Sequence, residues 1–153
     1  MRIAVVGATG AVGRLLLETL DGRGVAADEV VPFGSERSAG SSLGRWGEVR
    51  PLDEAGIEGF DLALMSAGGA VSREWAPRLA KAGALVVDNS SAWRMDPEVP
   101  LVVSEVNPEA IDGAGKGIIA NPNCTTMIVM PAMKAVDGLF GLRSMVATSY
   151  QAA

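Results

Sequence analysis

The chain has 153 residues, 48% hydrophobic and 20% charged, a composition that gives one domain a real core and excludes a disordered chain. No apolar run is long enough to cross a bilayer as a helix, and a net charge of −5 without any basic run argues against a nucleic-acid partner. With no histidine and Cys124 as the only cysteine, an internal disulfide is excluded and a metal site disfavoured.

The opening Met1-Arg2-Ile3-Ala4-Val5-Val6 lacks the layout of a signal peptide, so the expectation is a cytoplasmic protein with no membrane partner. Residues 3–6 read as a buried strand, after which Val12, Leu15, Leu16, Thr19 and Leu20 recur at helical spacing. Residues 29–33 form a second strand. The Gly- and Ser-rich stretch 35–60 that follows predicts a loop with short edge strands. Further strands are expected at 62–65, 85–87, 101–103 and 118–120, with Val71, Trp75 and Leu79 on the sheet-facing side of a helix. A longer helix over 124–136 is expected to bend at Pro131. Residues 142–150 read as one more strand. The alternation predicts an α/β fold, a Rossmann-like and mostly parallel sheet with helices on both faces. The division expected is a nucleotide-binding domain over 1–140, with 141–153 opening a second domain cut short.

Three segments carry chemistry. Gly7-Ala8-Thr9-Gly10-Ala11-Val12-Gly13 follows a strand and opens a helix, the context in which a glycine pattern points to a dinucleotide. Glycine supplies the turn's conformation and lets a pyrophosphate approach the helix N-terminus. The spacing is Gly-x-x-Gly-x-x-Gly, and the alternative is a glycine turn that holds nothing. In Ser35-Glu36-Arg37-Ser38, at the end of the second strand, Arg37 suits a 2′-phosphate with Ser35 and Ser38 donating beside it. Glu36 fits there only if it turns to solvent, and a plain polar surface turn is the alternative.

Asn121-Pro122-Asn123-Cys124-Thr125-Thr126 lies between a strand and a helix. A helix N-terminus favours a thiolate, and its free amides with the Asn123 side chain suit an oxyanion. A lone cysteine is as often a small buried hydrophobe, but the flanking asparagines at a strand end favour chemistry. Two other strand ends carry polar groups, Ser66-Ala67-Gly68-Gly69 and Asp88-Asn89-Ser90-Ser91, with Arg94 shortly after. These read equally as cofactor and substrate contacts or as capping loops with a surface charge.

Taken together, GATGAVG (7–13), SERSAG (35–40), SAGG (66–69), VVDNSSAWR (86–94), VPLVVSEVNP (99–108), NPNCTT (121–126) and TSYQA (148–152) closely resemble the bacterial aspartate-semialdehyde dehydrogenases along the whole chain. The resemblance implies interconversion of L-aspartyl 4-phosphate and L-aspartate 4-semialdehyde with NADP as cofactor, in the synthesis of lysine, methionine, threonine, isoleucine and diaminopimelate. It implies Cys124 as the nucleophile that forms an acyl-thioester, Asn123 positioning the acyl group and Gln151 orienting the substrate. Gly7, Thr9, Gly10, Ala11, Val12 and Gly13 would hold the pyrophosphate, and Ser35, Arg37 and Ser38 the 2′-phosphate. Ser66, Gly68 and Asn89 would border the cofactor, with Asn89 near the nicotinamide, and Arg94 would bind the phosphoryl group. The family's chain continues into a second domain that supplies an acid–base histidine, an arginine for the substrate carboxylate and most of a homodimer interface. The implied partner is therefore a small anionic substrate, and residues 1–153 alone are expected to be inactive. The rivals are an N-acetyl-glutamyl-phosphate reductase-like enzyme, which tends to place glycine and tyrosine where Asn123 and Thr125 stand, and an isolated NADP-binding module.

Overall fold

Strand β1 (Arg2–Val6) pairs in parallel with β2 (Glu29–Gly34) on one side and β4 (Leu62–Met65) on the other. The computed structural model describes residues 1–150, and its sheet is completed by β3 (Arg50–Pro51), β5 (Leu85–Asp88) and β6 (Ile118–Ala120). All neighbours are parallel in the order β3-β2-β1-β4-β5-β6, which reverses direction between β1 and β4. The expected class is thus observed, including a short edge strand inside 35–60.

Alternation along β1 explains both faces. Ala4 and Val6 point into one core with Phe33, Met65, Val86 and Leu79, the last from helix α2 (Gly69–Lys81). Ile3 and Val5 point into the other with Leu17 from helix α1 (Ala11–Gly22). A strand buried on both faces reads as a continuous apolar run, and a parallel sheet requires such strands. Val71 and Trp75 pack against the first core beside Leu79, as expected of that helix.

The first helix is observed where its spacing placed it, and two strand expectations are corrected. The buried face of α1 is Gly13 and Leu17 with Leu16 and Leu20 partly buried, whereas Val12 and Leu15 are 48% and 59% exposed and Thr19 is exposed. Close approach of Gly13 to the turn before it fixes the helix rotation, and apolar spacing alone is degenerate on this point.

Residues 101–103 do not form a strand. Leu101 makes a single parallel bridge to Ala120, and Val102 donates to the Ala120 carbonyl at 3.0 Å. The Asn107 side chain then accepts from the Val103 amide at 2.9 Å and donates to the Leu101 carbonyl at 3.0 Å, replacing the ladder partners an added strand needs.

Residues 142–150 are not a strand either, and they are exposed. The outer edge of β6 is already taken by the 100–102 segment, and the other edge strand, β3, is only two residues long. Helix α3 (Cys124–Phe140) passes through Pro131 beyond its expected end at Val136 and stops before Gly141, which has φ +73°. The missing N–H of Pro131 removes one hydrogen bond without ending the helix. No described helix is long and apolar enough to cross a membrane.

Candidate functional site

Because every strand runs the same way, the segments after β1, β2, β4, β5 and β6 all emerge on one edge of the sheet. In such sheets ligands bind outside the carboxyl ends, where strand order reverses. The glycine turn, the Ser35 segment, Ser66, Asn89 and the cysteine loop therefore share one rim.

Gly7 opens the turn at φ +83°, and a Cβ there would stand 2.5 Å from the Ser66 carbonyl oxygen. Its amide and that of Ala8 both donate to the Phe33 carbonyl, at 2.9 and 3.0 Å, fastening the turn to the end of β2. Gly10 is the N-cap of α1 and offers no side chain, and Ala11 and Val12 are the first exposed residues of the helix. The amides of Ala11, Val12 and Gly13 have no acceptor among the described residues. Three open donors at the positive end of a helix, next to a glycine N-cap that puts no side chain in the way, fit a pyrophosphate. Arg14, a residue that no glycine pattern marks, adds a cation by donating from Nε to the Thr9 carbonyl at 3.3 Å.

A cleft of about 450 Å³ opens beside this turn. Gly7, Thr9, Gly10, Ser35 and Ser66 line it, as does Glu36. Its apolar wall is Leu52, Ala67, Val71 and Trp75, all partly buried against the core. In the sequence Val71 and Trp75 show only helical spacing, which marks them as the sheet-facing side of a helix and not as a cleft wall. The same face serves both purposes because α2 starts at the rim. Gly68 is the N-cap of α2 and, like Arg37 and Ser38, does not line the cleft.

Over β5 and β6 a second group assembles. Arg94 donates from Nε to the Asn121 carbonyl at 2.8 Å and from Nη2 to the Asn89 carbonyl at 3.0 Å. The Asn121 side chain donates to Asn89 Oδ1 at 2.5 Å, closing the triangle. Below it, fully buried Asp88 accepts from the Ser90 hydroxyl at 2.6 Å and the Ser90 amide at 3.1 Å, while Ser90 Oγ accepts from Ala92 at 3.1 Å. This staple shapes the turn that carries Arg94. Arg94 forms no ion pair with a described carboxylate, so its charge is available to an anion. Asn121, one of the two asparagines flanking the cysteine, belongs to this network because it stands directly after β6.

Three residues on, exposed Cys124 is the first residue of α3. Asn123 caps that helix: its Oδ1 accepts from the Thr125 amide at 3.0 Å, the Thr125 hydroxyl at 2.7 Å and the Cys124 thiol at 3.5 Å. A side-chain oxygen that satisfies these donors fixes the entry of the helix and hence the thiol. The Thr126 amide has no acceptor among the described residues. Gln151 lies outside the described residues.

The comparisons agree with this fold. A family model described as semialdehyde dehydrogenase, NAD binding domain, matches residues 2–114. Aspartate-semialdehyde dehydrogenase of Aquifex aeolicus is 52% identical over 156 aligned positions, covering 99% of this chain and 46% of that protein. Among solved structures, aspartate semialdehyde dehydrogenase II of Vibrio cholerae, complexed with ASA, superposes with a TM-score of 0.81 at 43% identity, covering 92% of this chain and 47% of that one. The Candida albicans aspartate semialdehyde dehydrogenase with NADP superposes with a TM-score of 0.69 at 25% identity, covering 92% and 48%. The chain spans about half the length of the relatives it matches. With the parallel sheet, the glycine turn and the family match over most of its length, the chain belongs to the semialdehyde dehydrogenase family and carries that family's NAD-binding domain.

Proposed function

We propose that the protein interconverts L-aspartate 4-semialdehyde and L-aspartyl 4-phosphate with NADP, as part of amino-acid biosynthesis, and that this chain holds the cofactor and the nucleophile. The observation that carries the reading is the Asn89–Arg94–Asn121 triangle three residues before a cysteine capped by Asn123. The triangle ties a cation suited to phosphate to the loop that leads, three residues on, into the helix that Cys124 starts.

On this reading the open amides of Ala11, Val12 and Gly13 take the pyrophosphate, and Leu52, Val71 and Trp75 back the adenosine half. Arg37, with Ser35 and Ser38, takes the 2′-phosphate. Ser66 and Gly68 border the cofactor, and Asn89 stands towards its nicotinamide end, over β5. When bound, the nicotinamide supplies the hydride.

Cys124 attacks the acyl carbon of the mixed anhydride. The C–S bond forms, the C–O bond to phosphate breaks, and the phosphate leaves with the bonding pair onto Arg94. The acyl group then rests on Cys124 as a thioester, which divides one difficult reduction into two easier steps. Helix-entry donors, among them the Thr126 amide and the Asn123 carboxamide nitrogen, stabilise the oxyanion. Gln151 orients the substrate. The sequence has no histidine, so the acid–base group, an arginine for the substrate carboxylate and a homodimer interface come from the length that the relatives have beyond this match. Residues 141–153 lead into that second domain, and the protein works in the cytoplasm. Asn123 and Thr125 favour this reading over an N-acetyl-glutamyl-phosphate reductase.

The test is NADPH formation from aspartate semialdehyde, phosphate and NADP by the intact gene product. Saturable dependence on phosphate is expected, and turnover that ignores phosphate counts against the assignment. The missing histidine favours one second reading, for residues 1–153 taken alone: a binding module without turnover.

A further inference from the structure

We propose that Glu36 is a specificity-determining residue, whose carboxylate takes the ribose diol of an unphosphorylated dinucleotide, so that the protein uses NAD alongside NADP. The inference rests on the reading that the cleft beside the glycine turn holds the adenosine half, and it adds a second cofactor to that reading.

The placement follows from the sheet. Parallel pairing of Val6 with Phe33, and the double donation of Gly7 and Ala8 to the Phe33 carbonyl, bring the end of β2 against the glycine turn. Of the next residues Gly34, Ser35 and Glu36 line the cleft, and Arg37 does not. A carboxylate at this strand end is the group that accepts from ribose hydroxyls in NAD sites, and a cation is the group that suits a 2′-phosphate. Here the acidic residue lines the cleft and the cation beside it does not. No described residue pairs with Glu36, so its charge is not neutralised in place.

The two serines point the same way. Ser38 Oγ donates to the Ser35 carbonyl at 3.0 Å, which commits its single proton. In the 3.2 Å contact between the two hydroxyls Ser35 Oγ is then the donor, so its proton is committed too. A 2′-phosphate must turn both hydroxyl protons out of these contacts before the serines can join Arg37 in holding it, and it also meets the acidic Glu36. A ribose diol arrives as a donor, which is what these oxygens accept.

The experiment titrates the intact gene product with NADPH and NADH by calorimetry, in wild type, Glu36→Gln, Glu36→Ser and Arg37→Ala, with thermal melts to confirm folding. Wild type should bind NADH within about tenfold of NADPH. Both Glu36 variants should shift the ratio about tenfold towards NADPH, by weakening NADH as well as tightening NADPH. The tightening should shrink at high salt, because repulsion between exposed charges is screened. Arg37→Ala should weaken NADPH and leave NADH unchanged. A wild type that binds NADPH but not NADH, or a ratio that both Glu36 variants leave unchanged, overturns the proposal while the cofactor reading stands. A protein that binds neither nucleotide refutes the cleft assignment and the proposal with it.

Discussion

A Cβ on Gly13 would stand 2.2 Å from the carbonyl oxygen of Gly7, so the first helix and the turn before it are in backbone contact. The Gly13→Ala variant has no flexible side chain to displace. It forces helix and strand apart at the place where three amides are held open. We expect destabilisation of about 2 kcal/mol or more despite alanine's better helix propensity, together with weaker dinucleotide binding. Denaturant unfolding of the two proteins measures it, and wild-type stability in the variant would remove the packing argument.

Cys124→Ser tests the nucleophile apart from the cofactor site. Turnover should fall by at least about a thousandfold, as when a nucleophile acting in a unit is removed, while dinucleotide affinity stays within about twofold. Iodoacetamide should label wild type at this one exposed thiol and abolish turnover. Full activity after stoichiometric labelling would rule out a covalent role.

For Arg94 the informative variant is the conservative one. A planar fork donates to the Asn89 and Asn121 carbonyls at once, and an ammonium does not reproduce that geometry. Arg94→Lys should therefore raise the KM for phosphate about tenfold or more, corresponding to about 1.5–3 kcal/mol for a charged contact. A lysine variant with unchanged phosphate dependence would show that only the charge matters here.

The absence of histidine gives a prediction about residues 1–153 by themselves. A positioned acid–base group typically contributes 10²–10⁴-fold. We expect turnover at least about a hundredfold below that of a version carrying the remaining length of the relatives, even where cofactor binding is equal. Comparable rates would place the acid–base group within these residues.

One pH effect concerns the loop that carries Arg94. Lys116, just before β6, bonds to Asp96 at 2.8 Å and pairs with Glu98 at 2.9 Å, fastening that loop. The Lys116 hydrogen bond, and then the Glu98 amide, hold the Asp96 carboxyl below its ordinary 3.8, while Asp96 and then Glu98 raise Lys116 above its ordinary 10.5. A depressed carboxyl stabilises above its unfolded value and loses that contribution as pH falls through the folded one. A raised amine stabilises below its unfolded value and loses it as pH rises through the folded one. The difference in melting temperature between wild type and Lys116→Ala should be a small plateau between about pH 4 and 10, falling at both ends and diminished by salt. A flat difference beyond both ends would show that the ion pair does not hold the loop.

What the sequence shows and hides follows from what each pattern depends on. The glycine turn is legible because Gly7 and Gly13 answer to local sterics that no other residue meets. The cysteine at the start of α3 is legible because Asn123 is a local cap. The buried face of α1 is not, since Val12 and Leu17 are equally apolar and only contact with the turn selects between them. Residues 101–103 and 142–150 have strand composition, but a strand exists only beside a partner edge: Asn107 and the 100–102 segment take up the β6 edge, and β3 at the other edge has two residues. Glu36 and Arg37 are neighbours, and nothing in their order tells which one enters the cleft.

Helix α3 contains no buried residue, and Ile128, Leu139 and Phe140 are 76–81% exposed, although β6 just before it is wholly buried. Protection against amide exchange should therefore be graded across the molecule, near the global limit in β1, β4 and β5 and only slight along α3. A 17-residue helix with so little tertiary support is close to the length at which helices in water are marginal. The electric field at the thiol then tracks the helix–coil equilibrium of the turns beyond it. Whatever covers that helix tunes the nucleophile from a distance, through helical order.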